Sequence, residues 1–363
     1  MSFLFVNAVI LLALYLHAYG VTGSYGSGSV ASSIKKCGFP GAGSNADLFS
    51  KTARKSLRNL VHQVGASAPQ NGSLSRFHRE RIEGKKFSVS PTIVGGSRAV
   101  LNQLCWQVTI RFDAGTFYYE CGGVIVGPQT VLSAANCYVD QGTHAPKQNI
   151  TVVVGLINSD TFNITASGAC AESYNVSQLI LYPDFSPFNF TRDDIAVIKL
   201  DRAIDLDGKP CACRACLEDL APKPGDLCIA SGIGLESTED TNPVSPLKWV
   251  PQAVLENTQD KCFWLIEGDL GEVGDSTTTE PISPVINNFT VGSICAGGVV
   301  GEDICFGDGG SALMCLDENE VAYVAGIAST GTAECGVGIG SQYTKIKDYF
   351  QWIRQIALPE DVL

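Results

Sequence analysis

Leu132-Ser133-Ala134-Ala135-Asn136-Cys137 joins a short apolar run to a polar side chain and a cysteine. Short strand-like segments, punctuated by turn residues, recur on both sides of this stretch, at residues 107–112, 123–126, 150–154 and 196–200. Many short strands with glycine-rich connections predict an all-β barrel or sandwich. One helical pattern closes the chain, because Ile346, Tyr349, Phe350 and Ile353 recur at spacings of three and four.

The composition is that of a β-rich globular protein, with 363 residues, 45% hydrophobic residues and 38 glycines. Charge is unevenly distributed along the chain. Residues 21–92 hold 11 lysines and arginines against 3 acidic residues, whereas the chain as a whole has a net charge of −12. The basic part is either an arm that contacts acidic surfaces or a solvated linker. The acidic remainder argues against nucleic acid as a ligand.

The first residues have the pattern of a secretory signal. Residues 2–20 form an apolar run that ends in Ala18-Tyr19-Gly20, so we expect a signal peptide over residues 1–20 with cleavage after Gly20. An uncleaved anchor is the alternative. Residues 21–92 are then a basic, Gly/Ser-rich pro-segment or linker before a domain over residues 93–363. These features predict an extracellular protein without a membrane span after signal cleavage.

Cysteines and glycosylation motifs agree with secretion. All 14 cysteines follow the signal, and an even number in a secreted chain predicts seven disulfides. Six Asn-X-Ser/Thr motifs make this chain a predicted glycoprotein. They start at Asn71, Asn149, Asn163, Asn175, Asn189 and Asn288.

Eight sequence blocks occur in a fixed order along residues 93–357. They are Ile93-Val94-Gly95-Gly96, Cys105-Trp106-Gln107-Val108, Cys121-Gly122-Gly123-Val124-Ile125, the stretch that contains Asn136, Asp193-Asp194-Ile195-Ala196-Val197-Ile198-Lys199-Leu200, Cys305-Phe306-Gly307-Asp308-Gly309-Gly310, Gly326-Ile327-Ala328-Ser329-Thr330-Gly331 and Tyr343-Thr344-Lys345-Ile346. In this order, and interleaved with cysteines, they closely resemble the trypsin-like (chymotrypsin-type) serine protease family over three quarters of the chain.

The resemblance implies a fold and part of a disulfide framework. The fold is two six-stranded antiparallel β-barrels with a cleft between them and a C-terminal helix, here preceded by a poorly ordered N-terminal segment. The implied disulfides are Cys121–Cys137, Cys262–Cys295, Cys228–Cys315 and Cys305–Cys335, and Cys37–Cys216 resembles the bridge that tethers a pro-segment in some members. The pairing of Cys105, Cys170, Cys211 and Cys213 stays open.

The resemblance also places three residues at the catalytic positions of the family, where a histidine relays a proton from a serine and an aspartate orients the imidazole. Asn136 stands at the histidine position, Asp194 at the aspartate position and Gly309 at the serine position. An amide does not accept and return a proton near neutral pH, and glycine has no side chain that could form an acyl-enzyme. We therefore expect a pseudo-protease with no functional catalytic residue.

Two other residues could in principle replace the missing groups. His144 is the one histidine beyond residue 93, and it follows Asn136 by eight positions in a polar loop. Ser311 lies two residues past Gly309, which an extended chain would place several Å away. Because a triad tolerates about an ångström of displacement, we expect neither residue to restore proteolysis.

Binding groups remain in the same blocks. The resemblance implies a specificity pocket with Asp303 at its base and Ser329 and Gly331 beside it, and an oxyanion-type site made by the backbone N–H groups of Gly307 and Gly309. Asp303 could pair with a lysine or arginine side chain. The alternative is a carboxylate satisfied by water or by a nearby lysine.

Two departures weigh against docking of a substrate in this pocket. Thr330 replaces the tryptophan that usually forms a wall of the pocket, and Ser341 falls near a position that is usually glycine. The sequence does not decide whether the pocket binds a basic side chain.

Activation is expected to differ from that of the family. The resemblance implies that cleavage before Ile93 would free an amine that pairs with Asp308. The preceding residue is Thr92, so an activator that cuts after basic residues would cut near Lys85-Lys86 instead. We therefore expect the specificity pocket to keep the conformation that it has in an uncut precursor.

Three functions are compatible with these observations. The first is a secreted non-catalytic homologue that binds proteins, such as an active protease or its substrate, as a cofactor or regulator in an extracellular cascade of the innate-immunity or clotting type. The second is a serine-type endopeptidase with atypical catalytic groups. The third is a scaffold or scavenging glycoprotein. No cofactor and no metal ion is expected for any of them.

Overall fold

The structure is a computed structural model, and it describes residues 37, 93–113, 118–140, 143–156, 170–187, 192–235, 246–257, 262, 292–331 and 335–357. The predicted signal peptide and, apart from Cys37, the predicted pro-segment lie outside these residues, as do Asn71, Asn163, Asn189 and Asn288. These predictions stay predictions. Among the described helices, none is both long and apolar enough to cross a membrane.

The described part of the chain is built from strands and one long helix. The strands are β1 (Ser97–Arg98), β2 (Gln107–Asp113), β3 (Tyr118–Gly127), β4 (Thr130–Ser133), β5 (Ile150–Val154), β6 (Glu172–Leu181), β7 (Ala196–Leu200), β8 (Leu227–Gly232), β9 (Lys248–Ala253), β10 (Ser293–Gly297), β11 (Ala312–Leu316), β12 (Ala322–Thr330) and β13 (Gly340–Lys345). The helix α1 spans Ile346–Ile356, and a 3-10 turn spans Ala135–Tyr138.

Strands β2 to β7 form the first barrel, which is closed in the order β2-β3-β4-β7-β6-β5. Side chains alternate across a strand, so Val108, Ile110 and Phe112 of β2 are buried inside the barrel. The pairing of β2 with β5 completes the closure. Each of the four runs predicted from the sequence lies within one of these strands, and the six-stranded barrel is confirmed.

The second sheet contains the remaining strands, in the order β1-β9-β8-β11-β12-β13-β10. Six strands were expected, and the seventh is β1, whose Ser97 and Arg98 pair with Trp249 and Lys248. The sheet curls so far that Val254, just after β9, bridges to Ala296 in β10 at its other edge. The predicted all-β, trypsin-like fold is confirmed, with a curled seven-stranded sheet as its second half.

The C-terminal helix is confirmed together with its predicted apolar face. Ile346, Tyr349, Phe350 and Ile353 are its buried residues. The ring of Tyr182, which follows β6, stacks edge to face on Tyr349 and Trp352, with ring centres 4.9 and 5.1 Å apart. The helix therefore packs against a loop of the first barrel.

Seven disulfides join the fourteen cysteines. Five of these bonds are the ones that the resemblance implies, including Cys37–Cys216. The four cysteines left open by the sequence form Cys105–Cys213 and Cys170–Cys211. Seven cross-links restrict the unfolded chain and thereby stabilise the fold.

Candidate functional site

The strand register brings Asn136 and Asp194 together. Strands β4 and β7 are antiparallel, and Ser133 at the end of β4 faces Ala196 at the start of β7. The 3-10 turn after β4 therefore lies beside the residues that precede β7. Ser329, near the end of β12 in the second sheet, reaches the same point through its hydroxyl group.

Asn136 binds the carboxylate of Asp194 through two donors. Its backbone N–H donates to Oδ1 of Asp194 at 2.7 Å, and its side-chain Nδ2 donates to Oδ2 at 2.7 Å. The same Nδ2 also donates to the backbone oxygen of Ser329 at 3.2 Å. Both hydrogens of the amide nitrogen are thus used in holding Asp194 and the second sheet.

Asp194 is fully enclosed. In addition to the bonds from Asn136, its Oδ2 accepts a hydrogen bond from Oγ of Ser329 at 2.6 Å. Its backbone oxygen accepts one from Oγ1 of Thr344 at 2.8 Å. Burial raises the pKa of Asp194 to about 6, and the hydrogen bonds from Ser329 and Asn136 act in the opposite direction. Sequence reasoning did not identify Ser329 as a donor to Asp194, because β12 and β7 are far apart in the chain.

Gly309 lies beside the turn that carries Asn136. Its backbone oxygen accepts a hydrogen bond from the N–H of Gly122 at 2.7 Å, and the Sγ of Cys137 lies 3.7 Å from the same oxygen. A Cβ added at Gly309 would have Cys137 Sγ at 4.0 Å as its nearest neighbour. The position therefore has room for a side chain, although glycine provides none.

Asp308 fixes the loop that contains Gly307 and Gly309. Its two carboxylate oxygens accept backbone hydrogen bonds from Gly234 at 2.7 Å and Cys305 at 2.9 Å. Burial raises the pKa of Asp308 to about 7, while these two backbone hydrogen bonds and, to a smaller extent, the positive charge of Lys248 act to lower it. Gly307 adopts a φ of 94°, which glycine takes without strain. The oxyanion-type role of Gly307 and Gly309 stays a prediction.

Ile93 is completely buried although it precedes the first strand. It has a φ of 26°, in the left-handed region that branched side chains avoid. Val94 forms an antiparallel bridge with Asp303, and the N–H of Asp303 donates to the Val94 oxygen at 3.1 Å. The pairing of an Ile93 amine with Asp308 and the expected precursor-like pocket stay predictions, as does the site of cleavage.

Asp303 is buried at the second sheet. Its Oδ1 accepts hydrogen bonds from Oγ of Ser341 at 2.9 Å and from the N–H of Ile304 at 2.8 Å. Burial raises the pKa of Asp303 to about 7. Gly331, which the sequence places beside the same pocket, is exposed at the end of β12. The partner of the Asp303 carboxyl is thus a serine, which the sequence alone did not predict.

The structure describes both residues that were considered as catalytic replacements. His144 is exposed in the loop after the 3-10 turn, where its backbone N–H donates to the oxygen of Asp140 at 2.7 Å. Ser311 is 1% exposed, and its Oγ accepts a hydrogen bond from Nε2 of Gln107 at 3.0 Å. The Ser311 hydroxyl is thus buried and held by Gln107, and the prediction that neither residue restores proteolysis stays a prediction.

Two of the predicted glycosylation sites are described. Asn149 and Asn175 are both exposed, as attachment of a glycan requires. Nδ2 of Asn175 donates to Oδ2 of Asp201 at 3.0 Å, so a glycan there would replace this surface contact.

The trypsin family model matches residues 93–353 of this chain. The chain is 27% identical over 270 residues to CLIP domain-containing serine protease HP8 of Bombyx mori, covering 72% of this chain and 68% of that protein. It is 27% identical over 298 residues to the phenoloxidase-activating enzyme of Bombyx mori, covering 76% of this chain and 63% of that protein.

A vertebrate protein shows a similar level of identity. The chain is 27% identical over 276 residues to submandibular glandular kallikrein-9 of Rattus norvegicus, covering 73% of this chain and 89% of that protein. The match to the family model extends over most of the chain and includes both sheets and the start of the helix. This chain belongs to the trypsin family.

Proposed function

We propose that this chain is a secreted, non-catalytic member of the trypsin family that acts by binding proteins, as a cofactor or regulator in an extracellular protease cascade. The observation that supports this most is the chemistry at two positions, Asn136 beside Asp194 and Gly309 beside Cys137. The amide of Asn136 uses its N–H groups to hold the carboxylate, and Gly309 provides no nucleophile.

The chemistry of these groups supports a pseudo-protease. Acyl transfer in the family needs a base that takes a proton from a nucleophile and later returns it. The Asn136 amide is neutral and its nitrogen is already a donor in two hydrogen bonds. His144 and Ser311 lie in other environments, one exposed and one buried. Asp194 is then a structural acceptor that ties the two sheets together.

Secretion is supported by the cysteines and the exposed glycosylation motifs. Disulfides form and persist in oxidising compartments and are rare in reducing ones, and this chain has seven. The exposed Asn149 and Asn175 would be accessible to the glycosylation machinery.

The named relatives support the cascade setting. Two of them are a CLIP domain-containing serine protease and a phenoloxidase-activating enzyme. We infer that this chain acts among such proteases, where a non-catalytic homologue would contact an active protease or its substrate. Family membership also supports a serine-type endopeptidase as the second candidate function, because the fold and Asp194 are retained.

An exposed aromatic side chain gives the binding role a test. Phe306 lies three residues before Gly309 and is 57% exposed, which is unusual for a side chain of this size. We expect the tagged chain, cross-linked in extracellular fluid and isolated, to carry a protease or a protease substrate. The substitution Phe306→Ala should lower the yield of that partner about fivefold or more.

Val321→Ala is the matched control, because Val321 is also exposed but belongs to the hairpin between β11 and β12. It should leave the yield unchanged. Recovery of a small molecule alone, or of nothing, would favour the scaffold or scavenging alternative over the proposed role.

A further inference from the structure

The disulfide Cys37–Cys216 fixes where the basic segment of residues 21–92 meets the folded domain. Cys37 is half-buried and packs against the apolar cluster that contains Cys216 and Tyr323. Cys216 also forms a bridge with Tyr323 of β12, and its backbone oxygen accepts a hydrogen bond from the N–H of Val324 at 2.9 Å. The basic segment is therefore held covalently beside the hairpin of β11 and β12.

Acidic side chains lie close to this tether. Cys228 of β8 faces Cys315 of β11. Asp226 precedes β8 and Asp317 follows β11, so the two carboxyl groups belong to adjacent ends of these antiparallel strands. Burial, and then the negative charges of Asp226 and Asp317, raises the pKa of Tyr323 to about 12, which agrees with both acids lying near the tether.

Residues 217–227 and 316–323 form the surface beside the tether, which we call the acidic face. Its one cation is Lys223, and its six acids are Glu218, Asp219, Asp226, Asp317, Glu318 and Glu320. Among the residues that the structure describes, Glu218, Asp219 and Glu318 are exposed and form no ion pair. Leu220 and Val321 are 42% and 43% exposed. The face therefore combines negative charge with apolar surface.

The segment joined to this face has the opposite charge. Within it, residues 51–58 contain one leucine, no acidic residue and four cations, namely Lys51, Arg54, Lys55 and Arg58. Lys51 follows Cys37 by 14 positions, and a stretch of that length spans at most about 50 Å. Residues 51–58 lie outside the described residues, but the tether keeps them within reach of the acidic face.

We propose that the acidic face is a docking surface for the chain's own basic segment, with residues 51–58 lying on it beside the Cys37–Cys216 disulfide. The tether makes the contact intramolecular, so individually weak ion pairs act at an effective concentration on the order of millimolar. Of the two roles that the sequence left open for the basic segment, this is the arm and not the solvated linker. The inference does not rest on the proposed function.

Cross-linking of the full secreted chain tests the contact directly. A carbodiimide joins a lysine amine to a carboxyl group without a spacer, and the products are mapped by mass spectrometry. We expect Lys51 or Lys55 to be joined to an acid of the acidic face. The yield should fall at least about threefold in about 0.5 M salt, because salt screens exposed charges. An equal mixture of isotope-labelled and unlabelled chains distinguishes a link within one chain from a link between two copies.

Limited cleavage by trypsin at the basic residues of 51–58 measures how much of the segment is docked, because only the undocked form is cut. Reversing two charges of the acidic face, with Asp219→Lys and Glu318→Lys, should speed this cleavage about fivefold or more. The matched control is Asp184→Lys with Glu256→Lys, which changes the net charge equally at two exposed acids outside the acidic face. The control should be cut at a rate within about twofold of wild type.

Three results would overturn the proposal. The first is the absence of any link from Lys51 or Lys55 to the acidic face. The second is a link that joins labelled to unlabelled chains, which would assign the face to a second copy. The third is a charge-reversed variant that is cut no faster than its control. Should that variant not be secreted, the wild-type chain cut in about 0.5 M salt replaces it, and an unchanged rate there has the same meaning. None of these results bears on the non-catalytic proposal, which concerns Asn136 and Gly309.

Discussion

Replacing Asn136 by His and Gly309 by Ser in the same chain is expected to raise the hydrolysis of p-nitrophenyl acetate about 10²- to 10³-fold above wild type. Asp194 is already placed to accept a hydrogen bond from a side chain at position 136. A Cβ at position 309 would have Cys137 Sγ, at 4.0 Å, as its nearest neighbour. The ester is small, so its hydrolysis does not require a side chain to enter the predicted pocket at Asp303.

The controls separate chemistry from packing. Each single replacement should hydrolyse the ester at a rate within about tenfold of wild type, because the catalytic groups act as a unit. The variant with Asn136→His and Gly309→Ala adds nearly the same volume without a hydroxyl, and it should remain at the background rate. A double variant that is no faster than this control would show that the framework around Asp194 has not kept a usable geometry.

Removal of the Asp194 carboxylate is expected to have a large effect on stability. Asp194→Ala leaves the backbone N–H of Asn136, its Nδ2 and the Ser329 hydroxyl without their shared acceptor in a buried site. Unsatisfied buried donors are costly, so we expect the free energy of unfolding in urea at pH 7, with disulfides intact, to fall by about 3 kcal/mol.

Asp201→Ala is the control for this measurement. Asp201 also accepts a hydrogen bond from an asparagine, Asn175, but it does so at the surface. Its removal should change the free energy of unfolding by less than about 1 kcal/mol. If Asp194→Ala were no more destabilising than this control, Asp194 would not be the structural acceptor described above.

The sequence predicted the elements of the fold well because they depend on local patterns. The run at residues 150–154 is β5, the run at 196–200 is β7, and the spacing of apolar residues identified both the helix and its buried face. The pairing of β1 with β9 was not predicted. A strand of only two residues is too short to show an alternation of apolar and polar side chains. Its partners also lie about 150 positions away in the chain.

The site was predicted in its composition but not in its contacts. The resemblance pointed to Asn136, Asp194 and Gly309, yet no local signal shows that the Asn136 amide also binds the Ser329 oxygen, or that Ser341 donates to Asp303. These contacts join segments brought together only by folding. The pairing of Cys105 with Cys213 and of Cys170 with Cys211 was open for the same reason.

The contacts give the substituted positions a consistent physical meaning. The Asn136 amide donates to Asp194 where the family's histidine would, so the carboxylate keeps its hydrogen bonds while the proton relay is absent. The Ser341 hydroxyl likewise donates a hydrogen bond to the buried carboxyl group of Asp303. In both places a buried acid is satisfied by the chain itself, which favours a stable binding scaffold over a reactive cleft.

Covalent labelling tests the central claim most directly. The secreted wild-type chain, before and after cleavage in front of Ile93, is incubated with a fluorophosphonate that reacts with activated serines, and its intact mass is measured beside an active trypsin. The account predicts no mass increase for this chain under conditions that label the trypsin completely. An adduct on the wild-type chain, mapped by peptide sequencing to Ser311 or any other serine of the cleft, would contradict it.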